Sequence, residues 1–86
     1  MKKLIEENYQ SIVDRGLIEP STSMDAFIRK IKEEVREFEE STKTGTIAEI
    51  KEELSDIILT CLNTGRHFGF DIERELNNKI KINQKR

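Results

Sequence analysis

Apolar residues recur along this chain at three- and four-residue steps, and that period predicts helices throughout. Residues 2–15 form the first predicted helix, with Gly16 at its C-terminal stop. Leu17 to Thr22, containing Pro20, reads as a loop. Ser21 or Ser23 can cap a second helix that runs to about Lys43 and closes near Gly45. Its stripe is Phe27, Ile28, Ile31, Val35 and Phe38. Thr46-Ile47-Ala48-Glu49 is a capping box, with Thr46 as N-cap and Glu49 reaching back. The third helix it opens carries Ile47, Ile50, Leu54, Ile57, Ile58, Cys61 and Phe68, and Gly69 ends it. Asp71 can cap a fourth helix from Ile72 to near the C-terminus, with Ile72, Leu76 and Ile80 on one side. No strand-like alternation or internal repeat interrupts the pattern. The short connection between helices two and three predicts an antiparallel hairpin. The expected fold is all-α: a four-helix bundle in one domain, 1–86, completed by oligomerisation.

Size sharpens the last point. A chain of 86 residues buries a modest fraction of its unfolded surface, so a partner subunit would help it. Helices two and three are not expected to bury Phe27, Phe38, Ile57, Ile58 and Phe68 well by themselves. A homodimer or homotetramer follows as the expectation, with active sites near the subunit boundary. Charged residues reach 37%, but the apolar ones are periodic rather than diluted, which keeps the chain in the globular class. The net charge of −2 has both signs interspersed, so a nucleic-acid polymer is not an expected partner. No apolar run is long enough for a signal peptide or a membrane span. The single cysteine, Cys61, allows no internal disulfide and fits a reducing cytoplasm.

The candidate chemistry lies in two acidic motifs, one per central helix. Glu33-Glu34-Val35-Arg36-Glu37 places Glu34 and Glu37 three residues apart, and Glu52-Glu53-Leu54-Ser55-Asp56 does the same for Glu53 and Asp56. Such pairs share a helix face with Cβ atoms about 5–6 Å apart, where like charges repel. Counted at about 100° per residue from Ile31 and Ile50, both pairs fall near 300° and 240°, in matched register beside their stripes. Glu33 and Glu52, near 200°, point further toward solvent. A solvated face would account for either motif alone, with Arg36 and Lys51 neutralising part of the charge. Their shared register on a hairpin points instead to a divalent cation held by four carboxylates.

Other residues carry weaker signals. Cys61 sits mid-stripe and reads as core packing. His67 reads as a partly exposed polar residue near a helix C-terminus. Tyr9 reads as helix packing rather than a base-stacking ring. Lys79, Asn83 and Arg86 share a face at i, i+4 and i+7, which fits either a fraying basic end or a strip that binds anionic oxygens and a base edge.

Together these motifs resemble the MazG-like, all-α nucleotide pyrophosphohydrolases, relatives of the dimeric dUTPases and of phosphoribosyl-ATP pyrophosphohydrolase. Their signature is Glu-Glu-x-x-Glu, a spacer, then Glu-x-x-Asp, and many members add Lys-x-x-x-Asn-x-x-(Arg/Lys) on the next helix. Glu33-Glu34-Val35-Arg36-Glu37, Glu53-Leu54-Ser55-Asp56 and Lys79/Asn83/Arg86 match, over roughly Ile28 to Arg86. The resemblance implies Mg²⁺ ligation by Glu34, Glu37, Glu53 and Asp56, with Mn²⁺ able to substitute. It implies hydrolysis of nucleoside triphosphates between the α- and β-phosphates, with Glu33 or Glu52 orienting ligands or accepting a proton. Lys30, Lys79 and Arg86 would meet phosphate, and Asn83 the sugar or base. Glu49 stands where some members have lysine, and the chain lacks tryptophan, so any base stacking falls to Tyr9, Phe27 or Phe68. Two other readings are a phosphoribosyl-ATP pyrophosphohydrolase and a non-catalytic helical dimerisation module.

Overall fold

A computed structural model describes residues 1–86 as four helices in chain order: α1 (Lys2–Asp14), α2 (Met24–Thr44), α3 (Ile47–His67) and α4 (Ile72–Gln84). There are no strands, and the expected all-α architecture is present. The boundaries follow local chemistry. Ser23, not Ser21, caps α2, its Oγ accepting from the Ala26 amide at 3.2 Å. Thr46 Oγ1 accepts from the Glu49 amide at 3.2 Å, and Asp71 Oδ1 from the Arg74 amide at 3.2 Å. The return contact of the capping box runs from the Thr46 hydroxyl to Glu49 Oε1 at 3.4 Å, rather than to the Thr46 backbone N–H. Gly16 ends α1 at φ 70°, where the Leu17 amide reaches back to the Ile12 carbonyl at 3.2 Å. Gly69 repeats that turn after α3 at φ 75°. Both positions need the left-handed backbone that glycine adopts freely.

The α2–α3 hairpin is the frame, with α1 laid against α3 and α4 packed chiefly on α3. Gly65 makes the α4 crossing possible, because a Cβ there would collide with the Ile72 side chain. The core is small: Ile5, Phe27 and Leu62 are its buried apolar residues. Around Phe27 stands an aromatic knot. Its ring centroid lies 4.7 Å from His67 and 5.6 Å from Phe68. His67 ties three segments together: Tyr9 Oη lies 2.9 Å from Nδ1 and the Thr22 carbonyl 3.0 Å from Nε2. Arg66 forms a forked pair with Glu6 at 2.6 and 2.9 Å and covers the Tyr9 ring at 4.7 Å.

His67 is the partly exposed last residue of α3, as expected, and in addition ties together α1, α3 and the α1–α2 loop. Cys61 departs from expectation, being exposed rather than packed in the core. The reason is general. Ile28 and Val35 on α2, and Ile47, Leu54 and Ile58 on α3, are also exposed, at 40–68% of their full accessible surface. The flank that α2 turns inward carries Phe27, Glu34 and Ser41. The expected apolar stripes are therefore rotated away from the hairpin seam, and their outer edge has no cover in a single chain. Phe27 differs in the other sense, being buried without any partner subunit. Phe38, Ile57 and Phe68 are half-buried.

Candidate active site

The seam of the hairpin gathers carboxylates. Oxygens of Glu34, Glu37 and Glu53 all lie within 4.8 Å of one another. Glu34 is buried in the seam, with one oxygen 3.0 Å from Lys30 Nζ. Its Oε2 has no hydrogen-bond partner, and neither has the buried Oε2 of Glu53. A buried carboxylate oxygen without a donor costs a large part of its lost hydration. The register read from sequence brings three of the four expected ligands together. Asp56 stands outside that group but lines the adjoining cleft with Glu33 and Glu34.

The local electrostatics show the strain. Repulsion from Glu34 leads the effects that raise the Glu37 carboxyl above its ordinary 4.5, followed by burial and Glu33. Burial leads for Glu53, reinforced by Glu37, Asp56, Glu34 and Glu52. Lys30 responds in the opposite sense: its hydrogen bond to Glu34 holds the ammonium above its ordinary range, helped by Glu33 and Glu37. Lys30 pairs only with Glu33 and Glu34, and Glu37, Glu52, Glu53 and Asp56 have no ion-pair partner, so the cluster is under-neutralised. Hard oxygen donors, two of them buried without partners, fit a small divalent cation, and Glu34, Glu37 and Glu53 are the residues placed to hold it.

A stability prediction follows. Glu37 and Glu53 have folded-state pKa values above those of the unfolded chain, so the folded protein binds more protons and loses stability as pH rises from about 4.5 through the raised values. In a chelating buffer, the melting temperature of a Glu37→Gln/Glu53→Gln variant should therefore exceed that of the wild type by a margin that widens between pH 4.5 and 7.5. Mg²⁺ should narrow the margin by stabilising the wild type alone. A margin independent of pH would refute this account of the cluster.

Beside the carboxylates opens a cleft of about 600 Å³, within the range that holds a nucleotide-sized ligand. Its walls come from α1, the α1–α2 loop, α2 and α3. Several of its residues carried no assignment in the sequence reading: Asn8, Arg15, Arg29, Thr60 and Asn63. Arg15 and Arg29 form no ion pair in the chain, which leaves two free guanidinium groups beside Lys30. A signal for Arg29 was its place next to Lys30. A signal for Asn63 was its helical flank, shared with Asp56 two turns earlier. Arg15 and Asn8 had none, because α1 carries no motif. Glu52 is exposed and does not line the cleft. Lys79 and Asn83 are exposed on α4, while Arg86 lies beyond its end at Gln84, so the expected common helix face holds for the first two only; none of the three reaches the cleft of the same chain.

A helical hairpin with a carboxylate cluster in its seam, opening on a cleft with free cations, defines a class of proteins equipped to hold a metal ion and a polyanion together. The family comparison is consistent with that class. The model of the MazG-like family matches residues 24–86, and the chain belongs to this family. The match begins at the first residue of α2, so α1 and its side of the cleft lie outside it. No curated protein and no solved structure matches the chain. Membership points to chemistry of the nucleotide pyrophosphohydrolase type. No helix is long and apolar enough to cross a membrane.

Proposed function

We propose that the chain, taken as one domain over residues 1–86, is a cytoplasmic Mg²⁺-dependent nucleoside triphosphate pyrophosphohydrolase. Water would enter at the bond between the α- and β-phosphates, leaving a nucleoside monophosphate and pyrophosphate. The observation that carries this reading is the pair of buried, partnerless oxygens of Glu34 and Glu53 at the edge of a cleft that also holds Lys30, Arg15 and Arg29. Glu34, Glu37 and Glu53 would hold Mg²⁺ or Mn²⁺, with Asp56 completing the set from the cleft side. When bound, the ion supplies positive charge against both carboxylates and phosphates and acidifies a water molecule.

The chain's own side chains divide the remaining work. Arg15 and Arg29 can each fork onto phosphate oxygens, and Lys30 adds a point charge. Both Glu33 and Glu52 are exposed, but only Glu33 lines the cleft, next to Lys30 at 3.8 Å, and so is the better placed to accept a proton. A non-catalytic dimerisation module would account for the uncovered apolar flanks but not for partnerless carboxylates beside free arginines.

The exposed edges of α2 and α3 favour a homodimer or homotetramer. In that assembly Lys79, Asn83 and Arg86 would serve a neighbouring subunit's cleft, since they do not reach their own. The test is pyrophosphate release with Mg²⁺ across canonical and modified nucleoside triphosphates; no release from any of them would remove the proposal. The same assay on a chain truncated after Ile82 should show kcat/KM lowered about tenfold or more, the scale of one lost charged contact. Wild-type kinetics from the truncated chain would return this segment to the status of a fraying basic end.

A further inference from the structure

The cleft also holds an amide pair that the carboxylate chemistry does not use. Asn63, on α3, is only 3% exposed and lines the cleft. Its Oδ1 accepts a hydrogen bond of 2.8 Å from Nδ2 of Asn8 on α1. That contact fixes the Asn63 amide, and its Nδ2 donates to no acceptor in the chain and stays open to solvent. An amide held on its oxygen side with its donor side left open is placed to meet a ligand. Phe27, Ile12 and Leu59 supply apolar walls to the same cleft. Thr60, one turn before Asn63, does not compete for this role: its hydroxyl donates to the Asp56 carbonyl at 2.8 Å.

Distance assigns the ligand. Asn63 lies seven residues beyond Asp56 on one helix, about 10 Å along its axis. That is the span from the α-phosphate of a nucleotide to the edge of its base. Along α3 the lining therefore runs from a carboxylate at Asp56 to an amide at Asn63.

We infer that Asn63, positioned by Asn8, reads the hydrogen-bonding edge of the nucleobase. Asn63 Nδ2 donates to an acceptor on the ring edge, and Asn8 Oδ1 accepts from the neighbouring N–H or amino group. The ligand is a nucleotide chosen by its base, not a bare polyphosphate. Asn8 lies on α1, outside the residues matched by the family model, so this selectivity depends on a helix that the match does not cover. The inference rests on the hydrolase reading for its catalytic readout, and the experiment separates the two.

Wild type, Asn63→Asp and Asn8→Ala are compared for kcat/KM on the four bases, for inhibition by inorganic tripolyphosphate, and for melting temperature with Mg²⁺. Asn63→Asp keeps the shape and the bond from Asn8 but turns the outward donor into an acceptor. The favoured base should lose about tenfold to a hundredfold in kcat/KM, and the order among bases should change, toward those offering an amino group. Asn8→Ala, at a half-exposed position, frees the Asn63 amide and should compress the differences between bases. Tripolyphosphate inhibition should stay at the wild-type level in both variants. Unchanged base order in both variants overturns the inference. So does a wild type that treats all bases alike, or a parallel loss of tripolyphosphate inhibition, which would mark a merely structural role. A wild type that releases no pyrophosphate defeats the hydrolase reading instead. Calorimetric binding of nucleoside monophosphates to wild type and Asn63→Asp then decides base reading separately, with equal affinities overturning it.

Discussion

Glu34→Gln and Glu53→Gln are expected to abolish Mg²⁺-dependent pyrophosphate release while leaving the helices intact, and Glu53→Gln, which breaks no ion pair, to raise the melting temperature without metal. The opposite signs at Glu53 are the point. Each substitution keeps the side chain's shape and removes one negative charge from a group whose oxygens lie within 4.8 Å of one another. The apo fold loses a repulsion; the holo site loses a ligand. Losing a residue that merely supports a ligand costs about 10–100-fold, so losing a ligand itself should cost more. Glu37→Gln should behave as Glu53→Gln does. Asp56→Asn should be milder in its effect on Mg²⁺ affinity, because Asp56 lies outside the three-carboxylate group, yet it should still lower kcat. Circular dichroism, thermal melts with and without Mg²⁺, and steady-state pyrophosphate release read the three consequences. Full activity in two of the four variants would end the case for a carboxylate-held metal.

Leu54→Glu combined with Ile58→Glu is expected to break the assembly into single chains and to lower activity with it. Both side chains are about half exposed, at 45% and 54%, on the outer flank of α3. Covering the remaining surface of each is worth about 1 kcal/mol, and a two-fold interface counts every such residue twice. A carboxylate in the same place would have to be desolvated without a partner, which costs several kcal/mol per charge. The substitutions face away from the seam, so the carboxylate cluster and its Mg²⁺-dependent melting shift should persist in the separated chains. Light scattering and sedimentation equilibrium at micromolar concentration are the measurements. A wild type that is already monomeric, or a double variant with the wild-type mass, would show that this flank has another use.

Much of this structure was readable in the chain because its signals are local. The cap at Thr46, the left-handed stops at Gly16 and Gly69, and the Asp71 cap each act within one helical turn. The same holds for the pairs Glu34/Glu37 and Glu53/Asp56. A spacing of three residues on a helix is a statement about geometry before any tertiary contact exists. Matched register on two helices joined by a short turn then limits where the pairs can meet. The one ambiguous cap, Ser21 or Ser23, shows the limit of this reasoning: both serines precede the same apolar run, and only Ser23 stands three residues before the Ala26 amide.

What the chain alone could not decide is how far each helix turns about its own axis when it packs. That rotation sets which edge of a stripe meets a neighbour, and it depends on all contacts at once rather than on any window of sequence. It turned Glu34 inward and left Val35, Leu54 and Ile58 outside. It placed Cys61 at the surface and drew His67 between Tyr9 and Thr22, partners 58 and 45 residues away. It also brought Asn8 to Asn63 across 55 residues, although α1 has no motif to announce a role. The motifs determined the helices and the metal-binding chemistry they can support. The packing of α1 over the hairpin decided the cleft, its free arginines and the amide floor, because long-range side-chain partners have no signature in local spacing.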